Sequence, residues 1–409
     1  MDVRGIAGRH GLMKAMNTAR VADLLRTSGP LSRSALAAES GLDNKTITNI
    51  VNDLVSKRLV RAAGLSESSG GRRPELLDLD TDVHFAAGVD LGATHISAVL
   101  VDLKGNVLSR KWRSIRPDAS RQEIVEAAEG FCTNLRDEAG RNGGHLVGIG
   151  FVSPGLIDRG RGVCLLSSNL PNWRDVPIKA ILEESLGIPV YVDESARILV
   201  WAEKWFGLAK QSDDFACVNL GPGIGLGIMS NGRLYRGATE TAGEIGHIIV
   251  DVDGPLCRCG NRGCLEAVAS GLAIASQARQ ASERKEDTII GQIAHGDLDA
   301  IDASTVAEAA RRGDRLAKQV LERSGRYLGV AIAGVINLFD PGVVILTGGL
   351  TKAGDLLLEP LLHSVRSHAL PSLSERVRIE VSLLGDDASV LGATVLVLRQ
   401  ILGTSLLGD

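Results

Sequence analysis

Four metal-ligating side chains within eighteen residues constrain this 409-residue chain more than any other feature it has. His247 closes the run Gly243-Glu-Ile-Gly-His247, and Cys257, Cys259 and Cys264 follow in Cys257-Arg-Cys-Gly-Asn-Arg-Gly-Cys264. One imidazole and three thiolates make the closed tetrahedral set of a structural zinc ion, with no open position for hydrolysis. Whatever surrounds it, this segment must bend until four side chains converge. A disulfide plus a stray thiol is the alternative, and a reducing compartment disfavours it. Cys132, Cys164 and Cys217 each sit alone on apolar segments and read as core residues.

No stretch reaches the ~18 uncharged apolar residues of a membrane span, and Met1-Asp-Val-Arg4 lacks the apolar run of a signal peptide. A cytoplasmic protein without a membrane partner is expected. At roughly 100–200 residues per domain, the length has room for two or three. The formal charge of −4 is unevenly spread, because residues 1–80 hold 12 Lys/Arg against 9 Asp/Glu. The basic end is the one suited to nucleic acid. With aromatics at 3%, the core must rely on Ala, Val, Leu and Ile.

Residues 15–28 place Val21, Leu24 and Leu25 on one helical face, and Ser28-Gly-Pro30 ends that helix. Ser32 caps a short second helix, with Leu36 and Ala37 inward, which stops at Gly41. Asp43 caps a third, Asn44 to Arg58, with Ile47, Ile50, Val51, Leu54 and Val55 at helical spacing. That is the helix-turn-helix order. Leu59-Val-Arg61 and Glu75–Leu79 read as the strands of a wing whose tip is Ser66-Glu-Ser-Ser-Gly-Gly-Arg-Arg-Pro74. The third helix shows Asn44, Lys45, Thr46, Thr48 and Asn49 on its outer face, short groups able to reach base edges in a major groove. Arg72 and Arg73 of the wing would reach backbone phosphates or a minor groove. A solvated helix and a flexible linker are the plainer readings of each part; together they point to duplex DNA.

From residue 85 the pattern becomes that of an α/β domain. Phe85–Thr94 and Ile96–Asp102 read as a hairpin around the tight turn Asp90-x-Gly92-x-Thr94, where backbone N–H groups can approach phosphate. A second glycine-rich run, Asn219-Leu-Gly-Pro-Gly-Ile-Gly-Leu-Gly227, follows another apolar strand. Such turns are weak evidence singly, but in this order they predict a two-lobed actin-like body of the sugar kinase/ribonuclease H-like kind. Pro189-Val-Tyr-Val-Asp-Glu-Ser-Ala196 leads into Trp201-Ala-Glu-Lys-Trp-Phe-Gly207 as a buried strand running into a helix, with Ser195 placed to cap it.

From about Ala19 to Gly385-Asp-Asp-Ala-Ser-Val-Leu-Gly-Ala393, these motifs resemble the ROK family of repressors and sugar kinases. The resemblance implies sugar contacts at Gly155, Ser168, Asn169, Glu194, Ser195, Glu244, His247 and Glu266. It also implies a catalytic Asp that takes a proton from the attacking sugar hydroxyl in the family's kinases. Aligned through Ala196 and Glu203, this chain has Ser195 at that position, and a two-residue register shift would return Asp193 to it. The family kinases read Asp-x-Gly-Gly-Thr and Gly-Thr-Gly-x-Gly at the phosphate loops. Here Ala93 and Pro222 intervene, and Pro222 removes a hydroxyl and an N–H donor. Leu346-Thr-Gly-Gly-Leu350 resembles the family's adenosine-side motif and persists.

The expected organisation is a winged helix-turn-helix in residues 1–80, a linker near 80–84, a first lobe over 85–205 with a return near 385–409, and a second lobe over 206–384 with the zinc loop. The expected function is sugar-responsive transcriptional regulation, as a repressor, without phosphotransfer and with no catalytic residue. The partners are a palindromic duplex operator, a small sugar effector and a second or fourth copy of the chain. An ATP-dependent sugar kinase that also binds DNA, and a DNA-binding protein whose body only oligomerises or holds a protein, stay open beside it.

Overall fold

A computed structural model of the chain describes residues 8–66, 73–116, 118–167, 170–284 and 286–406. It separates into two compact units, residues 1–195 with 390–409, and residues 196–389. The division at 195/196 precedes the expected 205/206, so the helix Ser195–Trp205 counts with the second unit after its first residue.

The first unit begins with helices Gly8–Ser28, Arg33–Ser40 and Asn44–Ser56. Ser32 caps the second, its hydroxyl accepting from the Ala35 amide, and Gly41 ends it in the left-handed region at φ 69°. Ile47, Ile50, Val51 and Leu54 bury one stripe of the third. The wing is a three-stranded antiparallel sheet in the order Leu31–Ser32, Glu75–Leu79, Val60–Leu65, closed by the Ser66 amide donating to the Pro74 carbonyl. The expected linker is part of the packing, because Asp80 and Val83 are buried. Lys104 pairs with Asp78, and His84 Nε2 lies 2.9 Å from the Lys57 carbonyl.

The rest of this unit is a five-stranded sheet in the order Val190–Glu194, His145–Ser153, His84–Leu91, His95–Val101, Val107–Ser114. The first three strands run parallel and the last two return antiparallel. The helix Ala388–Ile401 lies against it from Val390 onwards. A Cβ on Gly88 or Gly150 would stand 2.2 Å or 1.8 Å from the Val390 or Ala393 carbonyl oxygen, so strand glycines allow that approach.

The second unit repeats the scheme. Its sheet runs Arg378–Val381, Val343–Thr347, Phe215–Leu220, Ile224–Ser230, Arg233–Leu234, again two parallel pairings followed by two antiparallel ones. Behind it the helices Arg315–Phe339 and Asp355–His368 pack on an Ala-, Val-, Leu- and Ile-rich core. Among the described residues no helix is long and apolar enough to cross a membrane.

Candidate functional site

In the second unit Gly243 makes the metal-side loop possible. Its φ is +106°, and a Cβ there would fall 2.0 Å from the Leu226 carbonyl. Its own carbonyl accepts from the Leu226 amide at 3.1 Å, which pins the loop to a strand. The 3-10 turn Ile245–His247 then presents His247. A turn closed by the Gly260 amide on the Cys257 carbonyl, 3.0 Å, brings Cys257 and Cys259 round, while Cys264 bridges to Ile249.

The ligand atoms of His247, Cys257, Cys259 and Cys264 all lie within 4.8 Å of one another. His247 Nδ1 is 3.8 Å from Cys257 Sγ, and Cys259 Sγ is 3.6 Å from Cys264 Sγ. A tetrahedron with bonds of about 2.3 Å has edges of about 3.8 Å. The four residues could therefore hold a metal ion. Burial pushes the Cys264 thiol up to about 12 and raises Cys257, while the Asn261 amide lowers Cys259. A bound cation would reverse that preference for protons.

Glu244 and Glu266 flank this cluster. Glu244 Oε2 is 3.9 Å from His247 Nε2, the ring nitrogen turned away from Cys257. Glu266 lies in the first turn of helix Leu265–Ala269, and its Oε2 accepts from the Ile224 amide at 3.1 Å. Two of the expected sugar contacts thus flank the four candidate metal ligands, and the third, His247, is one of the four.

In the first unit, Glu194 pairs in register with Ser153, so Gly155 and Ser195 follow the ends of adjacent parallel strands. Gly155 has φ +96°, and a Cβ there would stand 2.1 Å from the Leu166 carbonyl. Ser168 and Asn169, just beyond it, lie outside the described residues. Ser195 is the first residue of the helix Ser195–Trp205 rather than the residue before it. Asp193 is completely buried, with its Oδ1 accepting from the Glu194 amide at 2.8 Å and Arg159 Nε 3.8 Å from its Oδ2.

Of the two turns expected to meet phosphate, the first closes on itself and the second is bonded to a neighbouring helix. The Gly92 amide donates to the His95 carbonyl at 2.8 Å, and the His95 ring lies where a Cβ on Gly92 would be, 2.9 Å from Cε1. In the second unit the Gly221 and Pro222 carbonyls accept from the Gly271 and Leu272 amides, the first donors of helix Gly271–Glu283. Gly348 of Leu346–Leu350 packs against the Leu220 carbonyl, where a Cβ would stand 2.5 Å away.

Arg197, which sequence reasoning did not single out, and Glu203, which it used only to fix the alignment, hold this unit together. Arg197, buried two residues after Ser195, donates to the Glu240 carbonyl at 2.8 Å and so ties its helix to the segment leading to Glu244. Glu203 is fully buried and accepts from the Leu208 amide and the Ser382 hydroxyl. The anchor of the alignment is a structural residue.

On the recognition helix, Asn44, Lys45, Thr48 and Asn49 are exposed. Thr46 is half-buried, and its hydroxyl donates to Asp43 at 2.7 Å, while the Thr48 hydroxyl donates to the Asn44 carbonyl. Those bonds from the Thr46 hydroxyl and amide hold the Asp43 carboxyl below its usual range. Asn52, three residues past Asn49, shares the exposed stripe, and the helical period could have found it. Arg73 is exposed at the wing, and Arg72 lies outside the described residues.

The family model described as ROK matches residues 86–400. The xylose repressor of Caldicellulosiruptor bescii is 30% identical over 396 residues, covering 97% of this chain and 98% of its own length. The DNA-binding transcriptional dual regulator NagC of Escherichia coli is 33% identical over 402 residues, 98% of this chain and 96% of its own. A glucokinase of Thermotoga maritima is 35% identical over 316 residues, 77% of this chain and 98% of its own. Among solved structures, a ROK family transcriptional regulator described as a homologue of the E. coli MLC protein superposes with a TM-score of 0.83. That match is 28% identical and covers 97% of this chain and 98% of the other.

Proposed function

Because the chain belongs to the ROK family, we propose that it is a sugar-responsive, DNA-binding transcriptional repressor whose body binds a sugar without phosphorylating it. The observation that carries this reading is Ser195, at the start of its helix where the family's kinases keep an aspartate. Glu203, which fixes the alignment, is itself locked in place by Leu208 and Ser382. A serine hydroxyl has no affinity for a proton at neutral pH, so the attacking sugar oxygen would have no base. Asp193 is a poor substitute, being fully buried beside Arg159. Pro222, with no amide to offer a phosphate, speaks against a nucleotide site as well.

In the second unit Glu244, His247 and Glu266 would offer partners to sugar hydroxyls, and in the first unit Gly155, Ser168, Asn169, Glu194 and Ser195 match the family's remaining sugar positions. One structural zinc, on His247 Nδ1 and three thiolates, would supply a rigid post for the loop, leaving Nε2 of His247 for a sugar hydroxyl. Asn44, Lys45, Thr48, Asn49 and Asn52 would face the major groove, and Arg72 and Arg73 the phosphates. The relatives named as repressors across their whole length support this division of labour. A cytoplasmic homodimer or homotetramer on a palindromic operator follows from the need to place two heads on two half-sites.

Calorimetry with monosaccharides, N-acetylated sugars and sugar phosphates, beside an ATP-coupled assay, tests the reading. Saturable sugar binding that Glu244→Ala abolishes, with no ATP-dependent product, is expected. Turnover at about 1–100 per second would make the chain a kinase.

A further inference from the structure

The second unit carries a groove of about 540 Å³ that none of the sites above uses. Its walls are the helices Arg315–Phe339 and Asp355–His368. Gly325 and Gly329, one turn apart, let the two backbones approach closely, since a Cβ on either would stand 2.5 or 2.4 Å from the Leu357 or Leu361 carbonyl. The long side chains then stand up as the lining. Arg323, Arg326 and Tyr327 come from one helix, and His363, Ser364 and His368 from the other. No carboxylate is among the lining residues. His368 Nδ1 is 2.7 Å from the Ser364 carbonyl and donates to it, which leaves Nε2 for another partner.

Among the described residues, Glu322 and Asp251 meet this groove at its edge. Arg326 lies 3.3 Å from Glu322, and Arg323 lies 3.7 Å from Asp251 while its guanidinium covers the Tyr327 ring at 5.6 Å. Tyr327 donates its hydroxyl proton to Asp251 at 2.9 Å. Asp251 belongs to the metal loop. Its amide donates to the Gly263 carbonyl at 3.3 Å, its carbonyl accepts from the Gly254 amide, and a Cβ on Gly263 would stand 1.5 Å from its carbonyl oxygen. The next residue is the metal ligand Cys264.

We propose that this groove binds a small phosphate-bearing ligand and that its occupancy is felt at the metal loop through Asp251. Two guanidinium groups from adjacent turns offer planar forks that match phosphate oxygens, with two imidazoles opposite. The volume lies within the ~300–1,000 Å³ of small-molecule pockets. A phosphate drawn to Arg323 competes with Asp251 for the same guanidinium. Binding and the position of the metal loop are then linked in both directions, because one contact is exchanged for another.

Isothermal titration of the full-length, zinc-loaded protein with inorganic phosphate tests the site, and the rate of zinc removal by a chelator tests the coupling. Saturable phosphate binding is expected, weakened about tenfold or more in Arg323→Gln/Arg326→Gln. Both arginines are more than half exposed on helix surface, so the double variant should keep its melting temperature. Asp251→Asn, which removes the carboxylate that competes for Arg323, should bind phosphate at least as tightly and lose the effect of phosphate on zinc release. Absence of saturable binding, or an affinity unchanged in the double variant, overturns the site. A double variant that changes its sedimentation but not its phosphate affinity would make the groove a contact between copies. A zinc-release rate indifferent to bound phosphate in the unaltered protein overturns the coupling.

Discussion

Replacing Gly243 with Ala separates the cost of an awkward backbone from the cost of a displaced ligand loop, provided Gly313→Ala is measured beside it. Gly243 and Gly313 have φ values of +106° and +96°, but only Gly243 is crowded; a Cβ at Gly313 meets nothing within 4 Å. Both variants should lose the roughly 1–3 kcal/mol that a side-chain-bearing residue pays in such a conformation. Gly243→Ala must also open a 2.0 Å approach to the Leu226 carbonyl towards the 3.4 Å of ordinary contact. The loop therefore retreats by roughly 1 Å and gives up the Gly243–Leu226 hydrogen bond, about 0.5–1.5 kcal/mol more. Glu244 is the next residue and moves with it. A hydrogen bond to a charged group is worth about 1.5–3 kcal/mol, so sugar affinity should fall by about tenfold to a hundredfold. Urea unfolding, and calorimetry with the sugar that the screen selects, give both numbers. Gly243→Ala binding sugar as tightly as the unaltered protein, or Gly313→Ala losing as much affinity, would refute the reasoning.

Asn49→Ala should relax sequence preference by about 1–3 kcal/mol at one base position. Arg73→Ala should weaken binding to all duplexes and lower the salt slope by about one, and anisotropy across a salt series that showed the reverse would exchange the two roles. Cys259→Ser should leave less than one zinc per chain by elemental analysis and weaken sugar binding, while sugar-free operator binding persists; full zinc content in the variant would remove Cys259 from the ligand set. After metal removal, iodoacetamide should label Cys259 first, because it is exposed and the Asn261 amide lowers its thiol, whereas burial lifts Cys164 to about 11 and Cys132 to about 12 and raises Cys217 well above the usual thiol range. Peptide mapping that found Cys132 labelled first would contradict that order.

Short-range chemistry was legible. Ser32, Gly41 and Asp43 announced three helix ends, and each makes the cap or left-handed turn its type suggests. The metal cluster was readable because three of its ligands lie within eight residues and a glycine-rich turn is the only way to gather them. Other features depend on distant partners. The first helix begins at Gly8 rather than near Ala15, and the wing strand runs from Val60 to Leu65 rather than stopping at Arg61, both beyond the apolar periodicity. Nothing local says that Gly88 and Gly150 make way for a helix some 240–300 residues later. Nor does Arg197 betray from its neighbours that it reaches the Glu240 carbonyl. Nor does spacing alone say that the Thr46 and Thr48 hydroxyls donate to Asp43 and to the Asn44 carbonyl.

The seam around the winged head bears on anyone who would graft it onto another body. Helix Gly8–Ser28 packs against the turn Thr404–Leu406 at the far end of the chain, with a Cβ on Gly403 lying 3.7 Å from Ala19. Asp78 is paired with Lys104, and Val83 is buried. A cut at residue 80 would strip the head of a salt-bridge partner and uncover apolar surface on both pieces. A chimeric regulator built at that junction should express poorly unless the recipient supplies an equivalent of Lys104 and of the last turn. The transplantable cassette is discontinuous: its final piece is encoded more than three hundred residues after its first.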